Sequence, residues 1–445
     1  MAISDIISVS ISIADATPKA PQFNLPLILA KAPYGAGGRL YTTDPAGLSQ
    51  MVTDGFPLYS RAYMLVSRLA AQSGGVGSAV VYARTTQFTQ ALEMVPTNFT
   101  QGYVYSFNIT YHGITSTISH TVGAASNANL VIDAIEILID ASLAGLAGIT
   151  TTPDNVTATK LTLVPNVAGD FIHIDGHSTF LQFKEVGVDG SIAAQLAVAQ
   201  ADQAFNWYGL LIDSFAEAEI DLAAAFAESN EKIFLGQSAD AGILLSGVTI
   251  DVASDLFGSA FTRSAVGFTR YMSSDWVAGI MGRELAKTPG SSSWHMKQSA
   301  GSTADVLTTT EQNSALAKRA FLYVSDRGQA HTLNGFSASG RFFDITHGTD
   351  FLKSDIETAV YQLMLNQEKI PFNATGLAQV EGALRGRLVA AVGAGLIQDG
   401  FSITMPSLTG YSTVDKGNRL LRTVRFSATL TGAIHKVTVA GTLTI

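Results

Sequence analysis

Residues 423–445, TVRFSATLTGAIHKVTVAGTLTI, carry the pattern that decides how this chain is organised. From Val424 to Leu430 apolar side chains occupy the even positions and polar ones the odd positions, which predicts a strand with one apolar face. After Gly432 the alternation continues with apolar side chains on odd positions: Val437, Val439, Leu443 and Ile445. Because chain ends usually fray, we expect a final stretch that keeps this alternation to pair with a strand along its free edge.

The first residues of the chain repeat the alternation. Apolar side chains at odd positions alternate with serines: Ile7, Val9, Ile11 and Ile13. Pro18 and Pro21 then set the segment off as an extended arm. Exposed apolar strands invite pairing with another chain, so these apolar residues near both ends are predicted to lie at subunit interfaces. The alternative is that both arms pair within their own subunit.

The composition limits the classes of protein to which this chain can belong. A chain of 445 residues with 47% hydrophobic residues can form about three domains with large cores. No apolar run reaches the ~18 residues that span a bilayer, and the start, MAISDIISVS, does not resemble a secretory signal. The lack of cysteine excludes disulfides and thiolate metal sites. With 14% charged residues and a net charge of −9, nucleic-acid binding is not expected as a primary role.

Charge is unevenly distributed along the chain. Residues 376–445 contain seven basic and three acidic side chains, a net charge of +4, which leaves −13 for the rest. A basic C-terminal segment on an acidic remainder is suited to docking onto an acidic protein surface. The alternative is an ordinary solvated strand face.

Strands that alternate with helices predict an α/β core. The predicted strands are Leu25–Ala30, Ser78–Arg84, Phe205–Asp213, Lys232–Leu235, Gly247–Ile250, Ala265–Tyr271 and Ala320–Ser325. The predicted helices begin at Asp44-Pro45 and cover Tyr59–Leu69, Ala216–Ser229, Asp275–Lys287, Leu352–Leu363 and Leu377–Val392. We therefore predict an α+β or α/β multidomain fold with a mixed-sheet core, flanking helices and terminal strand arms.

Between residues 88 and 183 the pattern changes to a small β-rich module. A hairpin around His112-Gly113, a helix at Asn129–Ala144 and two further strands give the order ββαββ. Loops whose ends lie close together accept such insertions at modest entropic cost, so the module is predicted to be inserted into the main domain.

Two motifs carry side chains suited to metal binding or catalysis. His173, Asp175 and His177 alternate along a strand, and two imidazoles with a carboxylate can bind zinc or iron. Gly176 indicates instead that the strand ends there. Asp344 and His347 have no nucleophile in a recognisable context, and a turn with local hydrogen bonds is expected around them. We therefore predict no catalytic, cofactor-binding or metal-binding residue.

Several segments resemble the contractile tail sheath proteins of tailed bacteriophages. They cover about half the chain: WYGLLIDS (207–214), KIFLGQSAD (232–240), WVAGIMGRELAKTPGSSSWHMKQSAG (276–301), GRFFDITHGTDFLKSDIETAV (340–360), KIPFNATGLAQV (369–380) and RFSATLTGAIHKVTVAGTLTI (425–445). Residues 88–183 carry little of the likeness, because such outer modules vary.

The resemblance implies a structural protein without a cofactor. Its subunits stack as rings around a tail tube, contact baseplate and terminator proteins, and contract to drive the tube through the host envelope, with no nucleic-acid binding and no membrane insertion. It places the protein in the virion, assembled in the host cytoplasm. On this reading the basic side chains near the C-terminus are expected to contact the tube: Arg419, Arg422, Arg425 and Lys436.

The resemblance also suggests a division of the chain. Residues 1–22 form an arm, residues 23–87 and 184–345 the main domain, residues 88–183 the inserted module, and residues 346–445 a tube-facing domain that ends in the second arm.

Two other classes of function stay open. One is an exported fimbrial polymer, which normally needs an export signal. The other is a metal-dependent enzyme using His173, Asp175 and His177.

Overall fold

The computed structural model describes residues 22–142, 148–154, 159–187, 191–202, 204–422 and 424–435. All eight predicted interface residues of the two arms, and Lys436, lie outside these ranges. The chain divides into two compact units. The larger unit contains the described residues of 23–287 and 294–343, and the smaller contains residues 288–293 and the described residues from 344 onwards.

The described residues form strands and helices in the following order along the chain. The strands are β1 Pro26–Ala30, β2 Gly38–Thr42, β3 Ser78–Ala83, β4 Leu92–Pro96, β5 Val104–Tyr111, β6 Ile114–Thr121, β7 Ile149–Asp154, β8 Lys160–Pro165, β9 His173–Asp175, β10 Leu181–Glu185, β11 Gly209–Ile212, β12 Ile233–Ser238, β13 Ser264–Phe268, β14 Phe321–Asp326, β15 Gln329–Leu333, β16 Ser402–Thr404 and β17 Arg425–Ser427. The helices are α1 Pro45–Thr53, α2 Arg61–Ala70, α3 Ala128–Ser142, α4 Ile192–Ala201, α5 Glu217–Ser229, α6 Val252–Gly258, α7 Trp276–Glu284, α8 Thr309–Ala317, α9 Phe343–Asn366, α10 Ala374–Gly393 and α11 Thr413–Gly417.

An eight-stranded mixed sheet organises the larger unit. Its strand order is β15-β14-β13-β12-β11-β1-β3-β2. The six inner strands run parallel, and only the edge strands β15 and β2 are antiparallel to their neighbours. The chain leaves β1 towards β3 on one side and later enters β11 on the other side, so the strand order reverses between β1 and β11. In open α/β sheets this reversal opens a crevice at the carboxyl ends of the strands.

Both faces of the sheet are buried, as the continuous apolar runs of its strands predict. Leu27 and Leu29 of β1 pack into a core with helices α4, α5, α6 and α8. Ile28 and Ala30 face the opposite way, into a core with α1, α2 and α7. Helix α1 begins as predicted, because Asp44 caps it by accepting a hydrogen bond from the Gly47 amide at 2.8 Å.

The β-rich module forms two sheets around one helix. Strands β6, β5 and β9 make a three-stranded sheet, and β10, β4, β8 and β7 make a four-stranded sheet. The hairpin turn at His112-Gly113 has positive φ at both residues, the geometry of a two-residue turn between twisted strands. The apolar core shared with α3 continues into residues that follow strands of the main sheet, Phe215, Ala239 and Met272. The module is therefore packed against the end of that sheet.

The smaller unit consists of helices α9, α10 and α11 with a two-stranded antiparallel sheet of β16 and β17. Leu352 of α9 and Leu388 of α10 belong to its apolar core. The glycine at 348 allows a close approach, because a Cβ atom there would lie 2.3 Å from the Leu396 side chain and 3.0 Å from the Cα of Gly290. Residues 288–293 are thus held against α9.

Two local predictions were wrong. Gly247–Ile250 is not a strand: Gly247 adopts φ +80° in a turn, and Ile250 is exposed just before Asp251 caps α6. Asp344 and His347 do not lie in a turn but in the first turns of α9, because the helix begins at Phe343.

The alternating segment near the C-terminus also differs from expectation. Regular strand pairing covers Arg425–Ser427, and Leu430 forms a separate bridge with Ile397. Separately, no helix in the described part of the chain has the length and apolarity needed to cross a bilayer.

Gly267 of β13 supplies a test of how tightly the sheet packs against α7. A Cβ atom at this position would lie 2.5 Å from the Trp276 ring and 2.6 Å from Val277. We expect Gly267→Ala to lower the free energy of unfolding by about 1–3 kcal/mol, because overpacking strains the core. Urea titration followed by circular dichroism measures the change. Gly258→Ala is the control, since that site is open, and an equal loss in both variants would contradict the packing argument.

Candidate assembly surface

The two-stranded sheet of the smaller unit leaves strand edges open. Ile403 of β16 lies opposite Phe426 of β17, and the pairing continues outward through the Gln398 amide, which donates to the Thr429 carbonyl at 2.7 Å. Within the described residues no third strand joins this sheet. Each strand therefore presents one row of backbone donors and acceptors to an incoming strand.

The apolar side chains of this ribbon are only half covered. Val424 and Ala428 pack against the core of the smaller unit, as the alternation predicts. Phe426 is 45% exposed, and Ile434 beyond the strand is 85% exposed. A row of apolar side chains next to open strand edges is typical of a surface that another segment covers.

The structure places three of the four predicted tube-contact residues on this exposed segment. Arg419, Arg422 and Arg425 are all exposed. The Arg422 Nε lies 2.9 Å from Asp415 Oδ1, and this hydrogen bond holds the pKa of Asp415 below its ordinary value. Part of the positive charge is thus paired within the unit, and Arg419 and Arg425 carry the rest.

In the larger unit, buried charges occupy the crevice between β1 and β11. Arg84 follows β3, and its guanidinium lies 2.8 Å from Asp213 Oδ1 and 2.6 Å from Glu219 Oε2. All three side chains are buried. Burial raises the pKa of Asp213, although Arg84 favours its charged form. The place where other doubly wound folds bind a ligand therefore holds ion pairs of the protein itself.

The inserted module contributes directly to this buried layer. Glu185, the last residue of β10, accepts hydrogen bonds from the Phe215 amide at 2.7 Å and from the Ser214 hydroxyl at 3.1 Å. Gln90, just before β4, donates to the same carboxylate at 2.8 Å. Burial raises the pKa of Glu185. The two chain segments that enter and leave the module are thus fixed at the end of β11.

The proposed metal motif does not converge on one point. Asp175 accepts two hydrogen bonds from Ser273, from its amide at 3.0 Å and from its hydroxyl at 2.6 Å. His173 and His177 are buried on either side of this contact, and Gly176 ends the strand with φ +65°. Of the described residues, the carboxylates near enough to share an ion are Glu217, Asp221 and Asp255, where Lys184 already supplies a positive charge 2.7 Å from Glu217.

Asp344 and His347 both lie on α9 in the smaller unit.

Residues 343–423 match the family model described as "E217 tail sheath protein gp31-like, C-terminal domain". This segment of the chain is similar to the C-terminal domain of tail sheath proteins. The resemblance of the sequence to contractile tail sheath proteins is thereby confirmed, and with it a structural role in a contractile sheath. The matched range covers α9, α10, α11 and β16 and ends before β17. A comparison with curated proteins finds no match.

One solved structure shows the same fold at low identity. A chain of the anti-feeding prophage (AFP) baseplate, determined by cryo-EM, aligns with a TM-score of 0.50 at 11% identity over 99% of this chain and 100% of that one. The sheath tail protein of Listeria innocua aligns with a TM-score of 0.48 at 8% identity, over 93% and 96% of the two chains. The predicted mixed α/β fold of the sheath protein is confirmed.

Sequence reasoning missed the buried ion pairs of this sheath protein. Arg84 directly follows β3 and Asp213 directly follows β11, so both are charges at the carboxyl end of an apolar strand. A charge at the carboxyl end of an apolar strand is the sequence signal that points to these ion pairs, because parallel strands end at one edge of a sheet. Their pairing depends on the strand order, which the sequence pattern does not contain.

Replacing Arg84 tests the importance of this layer for the sheath protein. We expect Arg84→Met to lower the free energy of unfolding by about 3–5 kcal/mol, because it leaves Asp213 and Glu219 buried without their partner. Arg39→Met is the matched control, since the Arg39–Asp54 pair lies at the exposed edge strand β2 and its loss should have little effect. Chemical denaturation of both variants measures the difference. Similar losses would show that the buried pairs have no special role.

Proposed function

We propose that this protein is the sheath subunit that polymerises around a tail tube and contracts to drive that tube through a host envelope. The observation that carries the proposal is the open, partly apolar ribbon of β16 and β17 within a tail sheath domain. The alternating segments Ile7–Ile13 and Val437–Ile445 supply strands of matching pattern. In the assembly, such strands from neighbouring copies complete the ribbon.

The free energy of exchanging one such strand is consistent with an assembly that needs a template to begin. Burying four apolar side chains contributes about 6–12 kcal/mol as an upper limit. Ordering about eight residues costs about 8–16 kcal/mol of backbone entropy. Because the two nearly cancel, a single strand exchange does not drive polymerisation in free solution. The tube and the baseplate then act as the starting surface, and contacts between many neighbours act together.

The proposed role is structural rather than catalytic. Arg84, Asp213 and Glu219 form buried ion pairs at the carboxyl ends of the main-sheet strands, which supports a structural use of this edge. The partners are further copies of the chain, the tube protein, and the baseplate and terminator proteins, without nucleic acid or membrane insertion. The particle is a tail that assembles in the host cytoplasm. Two different strand segments on one chain favour head-to-tail contacts, which build helical assemblies.

Removing either alternating segment tests the linkage. We expect chains lacking residues 1–17, or the residues after Ile434, to fold but not to form sheaths on tubes, because each loses one strand of the exchange. Circular dichroism reports folding, and negative-stain electron microscopy reports sheaths. The full-length chain is the control. Sheaths of normal length from either truncated chain would refute the strand linkage.

Reversing charge tests the proposed tube contact. We expect replacement of Arg419, Arg422, Arg425 and Lys436 by glutamate to reduce sheath formation on tubes at least tenfold, because four attractive charges become repulsive. Co-sedimentation of subunits with tubes measures the loss. The control reverses Arg385 and Arg387, which lie on α10 of the same unit. Unchanged sedimentation of the first variant, or an equal loss in the control, would remove these residues from the tube contact.

A further inference from the structure

The contact between the inserted module and the main sheet includes a short backbone bridge, which we call the joint. It consists of residues 173–177 of the module and residues 270–275 that follow β13. Asp175 pairs with Tyr271 as a bridge, and the Gly176 amide donates to the Arg270 carbonyl at 3.1 Å. Ser273 donates twice to Asp175. The joint thus fixes β9 to the main sheet by backbone and side-chain hydrogen bonds.

Two histidines at this joint are buried without adequate partners. His173 is 4% exposed, and neither of its ring nitrogens has a hydrogen-bond partner among the described residues. His177 is 6% exposed; its Nδ1 lies 3.3 Å from the Ser178 carbonyl oxygen, and its Nε2 has no partner in the same part of the chain. Buried polar groups are rarely left in this way, and each instance calls for an explanation.

The charges around these rings oppose protonation. Arg61 of α2 acts on His173, and Arg270 acts on His177. Burial, reinforced by these cations, lowers the pKa of His173 to about 3 and that of His177 to about 4. Both rings are therefore neutral at neutral pH. A protonated ring would place a second N–H donor and a positive charge in a buried region beside the cations Arg61 and Arg270.

Acidic groups near the same cations act in the other direction. They are Asp175 in the joint, Asp275 paired with Arg61, Glu185 and Asp213 within reach of Arg61, and Asp305 and Glu311 next to Arg270. Burial raises the pKa of Asp175, so acidification relieves part of its cost. The net effect on global stability is therefore mixed, and only a local measurement isolates the histidines.

We propose that the joint is acid-labile: protonation of His173 and His177 releases the module from residues 270–275 while the eight-stranded sheet stays folded. The direction in which stability changes with pH follows from the linkage between proton binding and folding. A histidine whose pKa is depressed in the folded state stabilises that state fully above its ordinary pKa of 6.5, and this stability is lost as the pH falls towards the folded value. The window for opening thus extends from about pH 6.5 down to about pH 4.

Hydrogen exchange of the full chain between pH 7 and pH 4, corrected for intrinsic exchange rates, tests the proposal. We expect amides of β9 and residues 270–275 to lose protection at least tenfold within this window, while β1, β11 and β12 keep theirs. In the variant with His173→Leu and His177→Leu, the same loss should require a pH at least one unit lower. His331→Gln, a histidine on the edge strand β15, is the control and should behave like the natural sequence.

Three results would overturn the proposal. One is a natural chain whose joint keeps its neutral-pH protection at pH 4.5. Another is a double variant whose joint opens at the same pH as the natural one. The third is loss of protection in β1, β11 and β12 at the same pH as the joint. If the double variant does not fold, the single variants His173→Leu and His177→Leu are compared in the same way.

Discussion

The buried ion pairs of Arg84 with Asp213 and Glu219 are the constraint on which the larger unit depends. Charges removed from water are costly unless they are paired with good geometry. Here they sit where the strand order reverses, and the chain leaves for the module soon after Arg84 and returns through α4 to β11. Glu185 and Gln90 from the module bind to the same layer. An edge that elsewhere in this fold class is open to ligands has become the attachment point of a second structural layer.

Much of this fold is predictable from the sequence, because its local signals agree with its tertiary structure. The apolar runs of β1 and β3 and the Asp44 cap of α1 can be read from residue patterns, whereas the predicted ββαββ order of the module was incomplete, since the module also contains β4, β7 and β10. The wrong strand at Gly247–Ile250 shows the limit of this approach, since a short apolar run next to a glycine fits a turn equally well. The start of α9 at Phe343 was missed because Asp344 and His347 resemble turn residues.

The candidate assembly surface could be predicted only in part. Alternation identified the apolar positions of residues 424–430, but not which of them the unit itself covers. Val424 and Ala428 are packed by α9 and α10, whereas Phe426 is left outside. That distinction depends on where two helices from an earlier part of the chain end. The partners of Arg84 lie more than a hundred residues away, so no local pattern indicates them. The interface residues of the two arms lie outside the described residues and stay predictions.

The close approach of Gly290 and Gly348 in the smaller unit has a consequence for how its sequence can vary. With Leu396 filling the space on the other side, neither glycine tolerates even one added methyl group without moving a neighbour. A larger residue in place of either glycine therefore requires a smaller side chain at position 396 or a shift of the backbone. Substitutions at this spot should therefore be inherited as correlated sets, and a hybrid gene joining two diverged relatives between positions 290 and 348 would inherit mismatched partners.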